Sequence, residues 1–267
     1  MIEIFLLPFM QRAFIGGVLV GFLASYYGVF VVQRGLSFMG SGLAHAAFGG
    51  IALGILLKTE PLWIAIPFTV LVAIGITWVR EQTKLGSDTA VGIFFSVSMA
   101  LGIVFLYLRN QYTDNALTYL FGSILAVNWL DIISASIVLL LTIITFPFWN
   151  RWAYSSFDRE LAQADRLYVK RDDYILSILI ALTVVIAIKI VGVVLIAAFL
   201  VIPAATARIV SATFRTMTII SIIHGVSSAI IGLILSYHFD IPSGATIILF
   251  QAFLFFIGMI VMLVKGI

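Results

Sequence analysis

The chain has 267 residues, of which 63% are apolar and only 10% charged, and its mean hydropathy is +1.19. A water-soluble domain is nearer half apolar and a quarter charged, so lipid must take the place of water around this much apolar surface. The net charge of +3 is too small for a nucleic-acid face, and the absence of cysteine excludes disulfides and thiolate metal sites.

The apolar stretches run about 17–24 residues and do not alternate with period two, which excludes a β-barrel and predicts an all-α polytopic bundle of about eight or nine spans in a single domain, residues 1–267. In chain order the predicted spans are 14–32, 38–57, 62–79, 89–108, 130–149, 174–188, 193–210, 216–237 and 245–264. The first apolar run carries Glu3 and Arg12 and flows into a full span, so it reads as mature protein rather than a cleaved leader. The piece 116–127 is apolar but too short to cross and predicts a re-entrant or interfacial segment. The run 174–210 is too long for one helix. Lys189 and Gly192 break it into a tight hairpin.

Orientation follows from the basic residues of the short loops. With Arg151, Lys170 and Arg171 inside, alternation also places Arg34, Arg80, Lys84, Arg159, Arg166, Arg208, Arg215 and Lys265 inside, leaving only Arg12, Lys58, Arg109 and Lys189 outside. That bias predicts a cytoplasmic C-terminus and, with nine spans, an external N-terminus. The one sizeable hydrophilic loop, 150–173, contains helix-forming sequence of mixed charge around Asp158, Glu160, Leu161, Ala162 and Ala164. It reads either as a solvated connector or as a short helix that docks on a cytoplasmic partner.

No phosphate loop, zinc-protease motif or nucleophile elbow occurs, so the chain is not read as an enzyme, and any ATP hydrolysis belongs to another polypeptide. Between Arg34 and Gly54, residues Gly42, Ala46, Gly50 and Gly54 recur every four positions and form a stripe where a second helix can approach. Ser41, His45 and Gly49 form the next stripe, which sets an imidazole beside a packed seam with a hydroxyl one turn away. A histidine within a span must face protein or water. It is either a structural group bonded to a neighbouring helix or a ligand on a permeation path, where neutral imidazole suits transition ions. His224 lies in another span. His238 and Asp240 stand at the outer end of that span, in a segment that reads as a turn or a cation-attracting mouth, and Asp114 and Asp131 also fall on the outer side. Pro203 lies within a span and reads as a packing kink or a hinge.

Four segments together resemble the permease subunit of bacterial zinc and manganese ABC importers. That family's first motif, Arg-x-Leu-Ser-x-x-Gly-Asp-x-x-x-His-Ala, is met from Arg34 to Ala46 except that Ser41 stands in place of the Asp. The second, Tyr-Leu-Phe-Gly-x-x-Leu-Ala-Val, is met from Tyr119 to Val127. The third runs from Lys189 to Arg208 and ends Ile-Pro-Ala-Ala-Thr-Ala-Arg. The fourth, Asp-x-Pro-x-Gly, is met by Asp240, Pro242 and Gly244. The resemblance implies a bundle of the ABC importer permease type in the bacterial cytoplasmic membrane. It implies a second copy of the chain, two cytoplasmic ATPase subunits docked on the 150–173 loop, and an extracellular metal-binding protein. It implies no permanently bound cofactor, a cargo of Zn²⁺ in preference to Mn²⁺, and His45 as the leading transient ligand, with Ser41, His224 and Asp240 as further candidates. Serine at 41 removes the carboxylate that such chains often pair with the histidine.

Two other functions compete. A permease for a metal chelate, of siderophore or corrinoid type, would be longer by about two spans. An ion-gradient-driven carrier would place several ionisable groups at mid-membrane, where this sequence has almost none.

Overall fold

The computed structural model describes residues 7–83, 85–109, 122 and 127–265. It contains α1 (Pro8–Gln33), α2 (Met39–Leu56), α3 (Pro61–Gln82), α4 (Ser87–Leu108), α5 (Trp129–Thr145), α6 (Trp149–Phe157), α7 (Arg159–Ala164), α8 (Val169–Val191), α9 (Ile196–Val210), α10 (Phe214–Phe239) and α11 (Ser243–Lys265). Among the described residues there is no strand. Eight helices, counting α5 and α6 as one, are long and apolar enough to cross a membrane, and α9 is a shorter apolar helix. Each expected stretch is largely helical, with shifted ends, but the one expected at 193–210 is the short α9, so among the described residues eight and not nine helices have membrane-crossing length. The stretch 116–127 and the motif 119–127 lie outside the described residues apart from Gly122 and Val127, as does Asp114.

Local chemistry sets the ends. Proline opens α1 and α3, where its missing N–H costs nothing. α1 closes on Gly35 at φ 66°, with the Gly35 N–H on the Val32 carbonyl at 3.2 Å and the Leu36 N–H on the Val31 carbonyl at 2.8 Å, a Schellman motif. α2 closes the same way with Lys58 at φ 58°, which a side chain adopts only under strain. Reciprocal capping boxes start α5 (Asn128 with Asp131) and α10 (Thr213 with Thr216). Gly192, at φ 92°, ends α8 and makes the tight hairpin. Lys189 does not break the helix. It stays within α8 and reaches an ion-pair partner.

α1, α2 and α8 form the buried centre, whereas α4, α5 and α11 are mostly exposed, with apolar faces suited to lipid. α1 packs against α10, α9, α5 and α8, while α2 packs against α3, α4, α8 and α9. Glycines permit the closest crossings. A Cβ on Gly28 would stand 2.0 Å from the Leu200 carbonyl oxygen of α9, and one on Gly21 would meet the Gly225 carbonyl of α10 at 3.0 Å. The four-residue stripe of α2 serves two neighbours: Gly42 meets Val91 of α4, whereas Gly50 and Gly54 meet Ala65 and Pro61 of α3. Pro203 is buried within a continuous α9.

The 150–173 segment is helical for most of its length. α6 carries the chain to Phe157, α7 follows, and α8 begins at Val169.

Candidate functional site: a transmembrane face and an ionic cluster at the helix ends

On α2 the Nδ1 of His45 lies 2.9 Å from the backbone carbonyl of Ser41. A carbonyl only accepts, so Nδ1 carries a hydrogen and donates, and in the neutral ring the lone pair is then on Nε2. The ring packs on Phe95 of α4 with centroids 4.3 Å apart. These two contacts fix both the tautomer and the ring plane, the orientation a metal-ligating imidazole needs. Ser41 is half-buried and lines a cavity of about 670 Å³ together with Gly35, Ser37, Asp88 and residues of α9. Gly35 and Ser37 belong to the α1–α2 turn, so the cavity occupies the same end of the bundle as Arg34. Asp88, in the first turn of α4, is exposed. It was not singled out in the sequence because an acid after Gly86 and Ser87 reads simply as a favourable helix start.

His224 stands elsewhere. It is buried on α10, which packs against α1, α9 and α11. Its neighbourhood is polar. Ser221 Oγ donates to the Ser25 carbonyl at 2.9 Å, and the Gln251 backbone lies beside the ring. His224 Nε2, Ser228 Oγ and both side-chain polar atoms of Gln251 have no hydrogen-bond partner among the described residues. The two imidazoles therefore occupy separate seams. Asp240 is exposed at the C-cap of α10 with φ 53°. Among the described residues no three His, Cys, Asp or Glu side chains gather into a group able to hold a metal ion.

At the outer end of the bundle, three of the motifs converge on one backbone segment. A Cβ on Gly122 would stand 2.6 Å from the Val191 carbonyl carbon, and one on Gly244 would stand 2.6 Å from the Val191 oxygen. The helix end formed by Val191 and Gly192 is thus gripped from both sides by glycines. Nearby, Lys189 Nζ reaches Asp131 Oδ1 at 3.0 Å.

At the inner end Asp173, 2% exposed, receives three arginines: Arg34 from the end of α1, Arg80 of α3 at 3.3 Å and Arg159 of α7 at 2.9 Å. Arg159 also pairs with Glu81. Arg34 donates further to Ser156 Oγ at 2.8 Å and Ser155 Oγ at 3.1 Å. Burial pulls the Arg34 guanidinium below its usual pKa, and the adjacent Asp173 carboxylate acts in the opposite direction. Arg208 donates to the Val32 carbonyl at 3.2 Å, so the arginines of the first and third motifs meet at the end of α1. Arg151 pairs with Asp172, its Nε 3.0 Å from Oδ2. Asp173 and Glu81 give no sign in the sequence beyond being acids among basic residues, because their partners lie far off in the chain.

The α7 residues divide by role. The Asp158 carboxylate accepts from the Leu161 N–H at 2.9 Å and caps the helix. Ala162 is fully buried. Glu160, Leu161 and Ala164 are exposed.

The chain resembles known membrane proteins over nearly its whole length. It is 37% identical over 251 residues to the manganese import system permease protein ScaB of Streptococcus gordonii, covering 94% of this chain and 90% of the relative. It is 35% identical over 248 residues to the high-affinity zinc uptake system membrane protein ZnuB of Haemophilus influenzae, covering 92% and 95%. The fold matches PsaBC from Streptococcus pneumoniae, solved in complex with Fab, with a TM-score of 0.84, 34% identity and coverage of 97% and 95%. Residues 6–262 match the family described as ABC 3 transport family. With that family match over residues 6–262 and these relatives along nearly the whole chain, the protein belongs to the ABC 3 transport family.

Proposed function

We propose that this chain is the membrane-spanning subunit of an ATP-driven importer for a divalent transition metal ion, and that the ion passes the α2 face bearing Ser41 and His45. The observation that carries the reading is the oriented His45 ring, with Nδ1 tied to the helix backbone and Nε2 left available as a ligand atom, on the same face as the residue that opens into the 670 Å³ cavity. One imidazole and one hydroxyl make a weak ligand set. That suits a path, because a closed four-ligand site would retain its ion. Asp88 adds a carboxylate at the cavity's edge, where it draws a cation toward the inner side. The separate seam around His224 and the exposed Asp240 contribute, in this reading, a polar interior and an outer mouth rather than ligands of the same site.

With no nucleotide-binding motif of its own, the chain works with a second copy of itself, two ATPase subunits and an extracellular metal-binding protein. α7 is the docking element, and Arg159 ties it through Asp173 and Glu81 to the ends of α1, α3 and α8. Relatives named for manganese and for zinc match at nearly equal identity, so they support the metal class and leave the choice between the two metals to measurement. The test is ATP hydrolysis and uptake by the reconstituted complex with Zn²⁺ and Mn²⁺, in the original protein and in His45→Ala. Stimulation by one of the two metals, lost in the variant, supports the reading. Indifference to both metals, or full uptake by a well-assembled His45→Ala, overturns it.

A further inference from the structure

A cleft of about 830 Å³ opens between α1, α5 and α10, away from the α2 face. Its walls are Phe22 and Tyr26 of α1, Ile143 of α5, and Ile219 of α10. Its mouth holds Asn150 and Arg215, both at the end of the bundle where Arg34 and Arg80 lie. From Arg215 to Ile222, the cleft follows α10 for about two turns, roughly 10 Å along the axis. With that end on the cytoplasmic side, as the basic loops predict, the cleft starts at headgroup depth and runs into the hydrocarbon.

Two features say what fills it. Arg215 is exposed and has neither ion pair nor hydrogen bond among the described residues, unlike Arg34, Arg80, Arg151 and Arg159 at the same end. It stands in the first turn of α10, where the helix dipole adds positive potential. The Tyr26 hydroxyl on the wall is buried without a partner among the described residues, a costly state in an apolar interior. An unpaired cation above an apolar slot is complementary to an amphiphile with an anionic head, the kind of molecule available at that depth. We infer that this cleft binds an anionic phospholipid, with the phosphate on Arg215 and Asn150 and an acyl chain between Phe22, Ile143 and Ile219.

The purified full chain is stripped of lipid in mild detergent and titrated separately with phosphatidylglycerol, phosphatidylcholine and glycerol 1-phosphate, and bound molecules are counted by native mass spectrometry. Phosphatidylglycerol is expected to bind about fivefold more tightly than phosphatidylcholine, the effect of one arginine near an anionic headgroup. Arg215→Gln should remove that preference, Arg215→Lys should keep most of it, and Ile219→Trp should weaken both lipids by filling the slot. Glycerol 1-phosphate, which has no chain, should not bind. Equal binding of the two lipids by the original protein, an unchanged preference in Arg215→Gln, or binding of glycerol 1-phosphate as strong as that of the lipid overturns the assignment. None of these outcomes depends on metal transport.

Discussion

Asp131 and Lys189 form an ion pair at 3.0 Å, the carboxylate 4% and the ammonium 12% exposed, joining the first turn of α5 to the last turn of α8. Removing one partner of a buried pair leaves an uncompensated charge, which costs about 3–5 kcal/mol, whereas replacing both with neutral groups is often tolerated. Lys189→Met should lower the thermal midpoint of the detergent-solubilised protein strongly. Lys189→Met combined with Asp131→Asn should recover most of the loss. If the double variant is as unstable as the single, the pair does not hold these helix ends together.

Gly28 and Gly92 make a matched test of packing. A Cβ at 28 would lie 2.0 Å from a backbone oxygen of α9, whereas one at 92 meets nothing within 4 Å. Gly28→Ala must push α1 away from α9 and should cost at least about 1–3 kcal/mol. Gly92→Ala should be neutral or stabilising by up to about 1 kcal/mol, the difference in helix propensity. Thermal unfolding of the two variants side by side decides the matter. Equal midpoints would mean that the α1–α9 crossing is looser than described.

If the ion passes the α2 face as proposed, Ser41 is the position where its path can be tuned. Ser41→Asp puts a carboxylate one turn from His45 on the same helical face. Even with the screening of a half-wet site, a carboxylate a few ångströms from a divalent ion should raise affinity on the order of tenfold or more. Calorimetric titration should show that gain, and single-turnover uptake should show slower release. Unchanged affinity would place the ion off this face.

Arg159 is the only α7 residue with ion pairs to both Asp173 and Glu81. If these pairs transmit motion from the ATPase, Arg159→Gln should leave a folded complex whose metal-stimulated hydrolysis falls roughly fivefold or more while basal hydrolysis persists. Docking is better probed at Glu160 than at Asp158. Asp158→Ala removes the α7 cap and costs about 1 kcal/mol before any partner is involved, whereas Glu160→Lys changes an exposed charge alone. Full coupling in Arg159→Gln would separate α7 from the ionic cluster.

The spans were legible because apolar length has only one solution in lipid, and Gly192 marked the hairpin because helices end readily at a glycine with positive φ. The sequence could not say that Lys189 stays in the helix. That depends on Asp131, 58 residues away, and an isolated lysine in an apolar run otherwise looks like a break. The pairing of Ser41 with His45 followed from helical spacing, but the ring's tautomer needed the 2.9 Å contact. Asp88 and Asp173 escaped for a common reason: each looks like a local helix-start or loop charge, and its role is set by chain ends brought together only in the bundle. The glycines of the second and fourth motifs were visible as patterns, and only the fold shows that both rest on Val191.

Asp173 gives the inner end of the bundle a particular mechanical character. Its Oδ1 takes Arg34 while its Oδ2 takes Arg80 and Arg159, so one carboxylate joins three helix ends at once. A helix end that draws its arginine away leaves the carboxylate still paired with the remaining two, while the departing guanidinium must find water or another acceptor. The arrangement ties the ends of α1, α3, α7 and α8 to one acceptor, so the register of each is referred to the other three.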